Sequence, residues 1–172
     1  MKLFLDVETT GLNRGQDDIT QLTMILTNDD YQPLKVYNEF FCTPKINADV
    51  LSIQQLSFEE YNATHTKLFS SEVENIIEML KYTNYEIYAY NQSFDVAILK
   101  ANLERAGYPT PQITGKELMK KRIKLVQNME ERRYNLDEVV EYARSLFGNV
   151  RGFHDARVDT VCNLLIARDD KL

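Results

Sequence analysis

Apolar and polar residues alternate along residues 2–8, with Leu3, Leu5 and Val7 on one face and Phe4, Asp6 and Glu8 on the other. A period of two is that of a β-strand with different surroundings on its two faces. Thr9-Thr10-Gly11 ends the run, residues 16–18 form a polar break, and β-forming residues resume over 19–27. Asn28-Asp29-Asp30 is a strong turn signal, and a third strand is predicted around 34–42. Three strands with such short connections predict an antiparallel meander.

The periodicity then changes. Ser70 or Ser71 is placed to cap a helix that carries Val73, Ile76, Ile77 and Leu80 on one face. A short β-prone run, 86–90, precedes a helix over 94–105 with Val96, Ile98, Leu99 and Leu103, ending at Gly107 before Pro109. Residues 136–147 form another helix, capped by Asn135 and closed by Gly148. The last helix is predicted to begin near His154 and to run through Val158, Val161, Leu164 and Leu165. Strands first, then alternating helix and strand, predict an α/β or α+β sandwich in which helices cover a mixed sheet. No internal repeat, low-complexity tract or Gly/Ser linker interrupts the chain, so a single domain over 1–172 is expected.

Composition narrows the class. Hydrophobic residues make up 44% and charged residues 27% of 172, the balance of a globular protein with one sizeable core. Cys42 and Cys162 stand far apart without CxxC spacing, which excludes a disulfide framework and a cysteine zinc site and suits a reducing compartment. The apolar run at the N-terminus is too short for a signal sequence and is broken by Asp6, and no segment reaches membrane-spanning length. A cytoplasmic protein with no membrane partner is expected. Twenty Lys and Arg against 26 Asp and Glu leave a net charge of −6. That balance argues against a protein that coats nucleic acid electrostatically. It does not argue against an enzyme that grips a chain end through cations, which invert the local field.

Three short stretches carry candidate chemistry. Asp6 and Glu8 lie two apart on a strand, so both carboxylates project from one face at its C-terminal end. Such a pair either sits in solvent beside the turn or holds a hard cation such as Mg²⁺ or Mn²⁺, because close like charges repel. Asn91-Gln92-Ser93-Phe94-Asp95 follows the β-prone run. Asp95 there is either a plain helix-start acid or part of a site beyond the strand ends. In His154-Asp155-Ala156-Arg157-Val158-Asp159, five residues turn a regular helix by about 500°. His154 and Asp159 therefore converge only if His154 stands just outside the first turn. A neutral imidazole, with its ordinary titration near about pH 6.5, suits a general base, and a surface histidine at a helix start is the plainer alternative. Asp155 fits the role of a helix N-terminal acid.

Taken in order, Asp-x-Glu-Thr-Thr-Gly, Asn-x-x-Phe-Asp and His-x-Ala-x-x-Asp closely resemble the DEDDh, or DnaQ-like, 3′→5′ exonucleases. That family includes the proofreading subunit of bacterial replicative polymerase, RNase T and oligoribonuclease. The resemblance spans residues 2 to about 166, and the His154–Asp159 spacing matches the histidine branch of the superfamily. It implies a ribonuclease H-like α/β fold with a five-stranded mixed sheet, an antiparallel meander followed by parallel strands. It also implies two divalent cations, Mg²⁺ or Mn²⁺, one held by Asp6, Glu8 and Asp159 beside the attacking water and one by Asp6, with Asp95 acting largely through water. His154 would take the water's proton, and the products would be nucleoside 5′-monophosphates. Substrate contacts would come from Thr9, Thr10, Gly11 and Leu12, from Asn91, and from Phe94 under a base or packed in the core. The implied partner is a single-stranded nucleic-acid 3′ end, DNA before RNA. A DNA polymerase partner and a homodimer are compatible with the resemblance.

The chain departs from the family at Tyr90, where many relatives have His, at Gln54-Gln55-Leu56 and at Thr114-Gly115-Lys116. None of these is an expected ligand, so they bear on substrate preference. Lys116, Lys120, Lys121, Arg122 and Lys124, with Arg132 and Arg133, form a basic cluster that either holds strand phosphates or is a solvated helix face. The stretch 21–26, QLTMIL, superficially resembles a sliding-clamp peptide but falls in a predicted strand. Two other classes compete with an exonuclease. A noncatalytic nucleic-acid or polymerase-binding module would have no need of all five candidate polar residues. A dehalogenase-type phosphatase needs a second Asp where this chain has Glu8.

Overall fold

The computed structural model describes residues 1–81, 87–108 and 135–171. Three strands form the expected meander: β1 (Lys2–Thr9), β2 (Ile19–Thr27) and β3 (Pro33–Phe40). β2 pairs antiparallel with both neighbours, with Leu5 opposite Met24 and Met24 opposite Tyr37. A short β4 (Ile87–Tyr88) joins the other edge of β1 in parallel, so the order is β3-β2-β1-β4. The described sheet thus has four strands where five were expected, and its mixture of antiparallel and parallel pairs is the expected one.

Alternation along β1 divides the interior in two. Leu3, Leu5 and Val7 pack with Ile76, Leu80, Ile98 and Leu99 in one apolar cluster, which belongs to α3 (Val73–Lys81) and α4 (Gln92–Arg105). Phe4, Ile25 and Tyr88 face a second cluster with Val139, Ala143, Val158 and Val161, from the helices that follow residue 134. These are α5 (Leu136–Phe147) and α6 (Ala156–Asp169). Phe4 and Tyr88 stack across the parallel pair with centroids 4.9 Å apart. Helices therefore cover both faces of the sheet, and β2, enclosed on both, is buried along its whole length. That burial explains why its sequence reads as a continuous β-forming run rather than an alternation.

Several local details differ from expectation. Two short helices, α1 (Ala48–Ile53) and α2 (Phe58–Thr64), are specified more by their caps than by apolar periodicity. Asn47 accepts from the Val50 N–H, and Ser57 and Glu60 form a reciprocal capping box. Neither Ser70 nor Ser71 caps α3. A 3₁₀ turn, Phe69–Glu72, leads into it, and the Ser71 hydroxyl donates to the Leu68 carbonyl at 2.7 Å. β3 stops at Phe40; the Phe41 N–H still donates to the Thr20 carbonyl of β2 at 2.8 Å, while Phe41 forms an isolated bridge to Lys67. Asn135 caps α5 by accepting from the Asp137 N–H, and Gly148 closes it at φ +80°, a conformation that suits glycine. The residues 114–116 and the basic cluster from Lys116 to Arg133 lie outside the described residues.

Leu5 is fully buried on the central strand pair. Leu5→Ala is expected to cost about 2–5 kcal/mol, measured by urea unfolding, through lost apolar burial and the cavity left behind.

Candidate metal centre and active-site cleft

Asp6 and Glu8 project from the C-terminal end of β1, on the face opposite Leu5 and Val7. α6 packs across β1 and β2 and brings Asp159, in its first turn, against the pair. One carboxylate oxygen from each of Asp6, Glu8 and Asp159 lies within 4.8 Å of the others, the only such acidic trio among the described residues. The three line a cleft of about 450 Å³ together with Val7, Tyr90, Phe153, His154 and Asn163.

His154 stands outside α6, as its convergence with Asp159 requires. Its backbone lies in the left-handed region at φ +62°, unusual for a residue with a side chain. That turn aims its N–H at Asp159 Oδ2, 3.1 Å away, and leaves the imidazole exposed at the cleft. The other histidine, His65, is stacked on Tyr61 with centroids 4.4 Å apart and lies tilted against Phe40 at 4.8 Å. Burial pushes its imidazole down to about 4, and it takes no part in the cleft.

Asp155 has a structural position. It is fully buried and caps α6, accepting from the Arg157 N–H at 3.2 Å. Arg157 Nε and Nη2 also reach its two oxygens at 2.9 and 2.7 Å, and Gln21 Nε2 and the Arg151 N–H each donate at 3.1 Å. Burial opposes ionisation of Asp155, but these donors hold its carboxyl below the ordinary range. The Gln21 amide oxygen in turn accepts from the Ala156 N–H, so the start of α6 is fastened to β2.

Asp95 is buried in the first turn of α4. It stands outside the close trio, yet its charge raises the pKa of both Asp6 and Glu8. Asn91 is the residue before α4, and its carbonyl accepts from the Phe94 and Asp95 N–H groups at 2.8 and 2.9 Å. Phe94 packs against the first apolar cluster, with the Arg14 guanidinium 6.0 Å from its ring centre.

The loop after β1 is tied to itself and to α4. Thr9 Oγ1 donates to the Gly11 carbonyl at 2.8 Å, and Thr10 Oγ1 donates to Asp17 Oδ1 at 3.0 Å. A Cβ on Gly11 would come within 2.6 Å of Asp17 Oδ2, so the missing side chain makes room for that carboxylate. Arg105 reaches across from α4 to the carbonyls of Gly15 and Asp17, both at 2.7 Å. Leu12, at the tip, is 86% exposed. Behind the loop, the buried Gln54 amide donates to the Thr9 carbonyl at 3.2 Å, bracing the end of β1.

Asp6, Glu8, His154 and Asp159 therefore meet in one cleft, while 9–12, Asn91, Phe94 and Asp95 are not among the residues that line it. Tyr90, Phe153 and Asn163 line it without having been singled out as site residues. Asn163 was legible from its spacing, one helical turn beyond Asp159 on the same face. Arg151 was not, because its approach to Glu8 depends on the turn before α6.

The electrostatics are unbalanced. Burial and the charges of Asp159, Asp95 and Glu8 push Asp6 well above the carboxylate range. Glu8 is raised to about 8, by burial first and then by Asp159, with Arg151 opposing. Asp159 is raised to about 7 by burial, with the His154 N–H opposing and Asp155 adding to the rise. Oxygen-only donors, close together and short of positive charge, are the ligand set of a hard divalent cation. The residues present fit such an ion.

The family of exonucleases typified by RNase T matches residues 3–166. Among solved structures, a product-bound exonuclease I is similar at 16% identity and a TM-score of 0.68, over 97% of this chain and 42% of that one. Escherichia coli exonuclease I in complex with a 5cy-dT13 oligonucleotide is similar at 18% identity and a TM-score of 0.64, over 97% and 39%. The zinc-bound form of the E. coli exonuclease I–ssDNA complex is similar at 16% and 0.67, over 97% and 39%. At such identities the likeness shows a common fold, and this chain spans about two fifths of the length of those proteins. No curated protein gives a significant match. With 3–166 of its 172 residues matched, the chain belongs to the RNase T exonuclease family.

Proposed function

We propose that the chain is a divalent-cation-dependent 3′→5′ exonuclease of DEDDh type, acting in the cytoplasm on single-stranded ends, DNA in preference to RNA. The convergence of Asp6, Glu8 and Asp159 within 4.8 Å in an open cleft carries this reading. The preference for DNA draws on the similar exonuclease I structures, which hold single-stranded DNA.

Asp6, Glu8 and Asp159 would hold one Mg²⁺ or Mn²⁺ and Asp6 a second, with Asp95 orienting its surroundings. Bound there, two cations supply Lewis-acid stabilisation of charge on the attacking, leaving and non-bridging oxygens. His154 accepts the proton of the attacking water on a ring nitrogen, aided by its exposure at the cleft mouth. The water oxygen bonds to phosphorus as the bond to the 3′ oxygen of the preceding nucleotide breaks. That oxygen takes a proton, and a nucleoside 5′-monophosphate is released. Leu12, exposed at the tip of its braced loop, would press against the terminal base, and 9–11 and Asn91 would frame the nucleotide.

A 5′-labelled single-stranded oligonucleotide with Mg²⁺ or Mn²⁺ is expected to give a descending ladder that EDTA abolishes, faster for DNA than for RNA. Absence of any shortening of either polymer contradicts the reading. His154→Ala is expected to lower kcat by about 10²–10⁴-fold while thermal stability is kept.

The raised carboxylates also give a stability signature without turnover. Their folded-state pKa values lie above the unfolded ones, so the metal-free protein carries this cluster's full contribution to stability only below the ordinary carboxylate range. It loses stability as pH rises through about 7 for Asp159 and about 8 for Glu8. In EDTA the Tm is expected to fall between pH 5 and pH 8, and added Mn²⁺ is expected to raise it more at pH 8 than at pH 5. An equal effect of Mn²⁺ at both pH values counts against cation binding by this cluster.

A further inference from the structure

One donor in the cleft is left over. Asn163 is only 4% exposed, lines the cleft beside Asp6, Tyr90 and Asp159, and lies one turn along α6 from Asp159. Its Nδ2 is buried and, among the described residues, has no hydrogen-bond partner. An amide donor buried without an acceptor is costly, and native proteins keep few of them. Its neighbour on the same helix, Thr160, shows the ordinary alternative, with its buried hydroxyl satisfied by the Ala156 carbonyl at 2.6 Å.

Resting on the proposed exonuclease activity, we infer that Asn163 is a phosphate-binding residue whose Nδ2 donates to a non-bridging oxygen of the nucleotide's phosphate. The position selects the phosphate over the base. Asn163 lines the same cleft as Asp6, Glu8 and Asp159, around which cations and the reacting phosphate must meet, whereas Leu12 lies on the loop beyond the end of β1 and does not line it. The residue type suits the place. A lysine or arginine there would pair with the carboxylates and compete with the cations, while a neutral amide donates to phosphate and leaves the acidic ligands free. The unmet donor stays in the folded protein and is satisfied when the nucleotide binds.

Binding of thymidine and adenosine 5′-monophosphates in saturating Mn²⁺ tests this by calorimetry on wild type and Asn163→Leu, alongside Mn²⁺ affinity alone and Tm. Removing a hydrogen bond to a charged acceptor is expected to weaken both monophosphates about tenfold. Mn²⁺ affinity is expected to stay unchanged, and Tm to hold or rise because a buried unpaired amide has been replaced by an apolar side chain. Unchanged nucleotide affinity overturns the inference. So does a loss confined to one base, which would place the amide on a base edge, or a joint loss of Tm and Mn²⁺ affinity, which would make Asn163 structural. If the leucine variant does not fold, Asn163→Asp keeps the shape and exchanges the donor for an acceptor. Both monophosphates are then expected to weaken at least tenfold with no loss of Mn²⁺ affinity, and retained nucleotide affinity overturns the inference. Wild-type protein that binds Mn²⁺ but neither monophosphate overturns it together with the proposed function. Wild type that binds both, with Asn163→Leu binding them equally, overturns the inference alone.

Discussion

Mutual repulsion among Asp6, Glu8 and Asp159 is the constraint around which the rest of this molecule is arranged. Three carboxylates within 4.8 Å, with Asp95 close enough to shift two of them, do not come together spontaneously in water. The fold has to force the approach. β1 supplies two of the groups through its two-residue period, and apolar packing on both faces of the sheet holds that strand at its centre. Asp159 arrives on α6, whose apolar face packs against Phe4 and Ile25. The cost of crowding like charges is met by burial of the surrounding apolar residues and is relieved when a cation binds.

A second acid makes the arrangement specific. Asp155 is four residues from Asp159 but does the opposite job, because Arg157, Gln21 and the Arg151 N–H satisfy it completely. Gln21 of β2, bonded to both the Asp155 carboxylate and the Ala156 N–H, fastens the first turn of α6 to β2, and the left-handed turn at His154 sets where the imidazole stands. Replacing one partner would strand a buried charge, which is why such pairs fix geometry even where they add little net stability. Arg105 and Asp17 fasten the loop that carries Leu12. The acidic cluster and the loop after β1 are thus held by separate sets of bonds.

Much of this was legible along the chain. The alternation at Leu3–Val7 foretold both the strand and the common face of Asp6 and Glu8, and the Asn135 and Gly148 signals bounded α5. The α/β or α+β sandwich with a mixed sheet followed from element order, and its ribonuclease H-like form from the resemblance carried by the three motifs. Other features were not legible because they are set by tertiary contacts or by very short segments. α1 and α2 are too short for helical periodicity to show, although Ser57 and Glu60 spelled a capping box. Gly11 reads as a place where backbone can meet substrate, but its close neighbour in the fold is Asp17. Asp95 reads locally as a helix-start acid, and only packing of α4 against the sheet brings its charge to bear on Asp6. Arg151 touches the Gln54 carbonyl at 2.8 Å, a contact between residues almost a hundred positions apart that no local pattern encodes.

The central claim is that this acidic cluster is a divalent-cation centre. Anomalous diffraction from crystals grown with Mn²⁺ and a nucleoside 5′-monophosphate tests it most directly. Two peaks about 4 Å apart, both in contact with Asp6 and one also with Glu8 and Asp159, are predicted. Manganese bound elsewhere, with the three carboxylates ordered and empty of metal, would contradict the account.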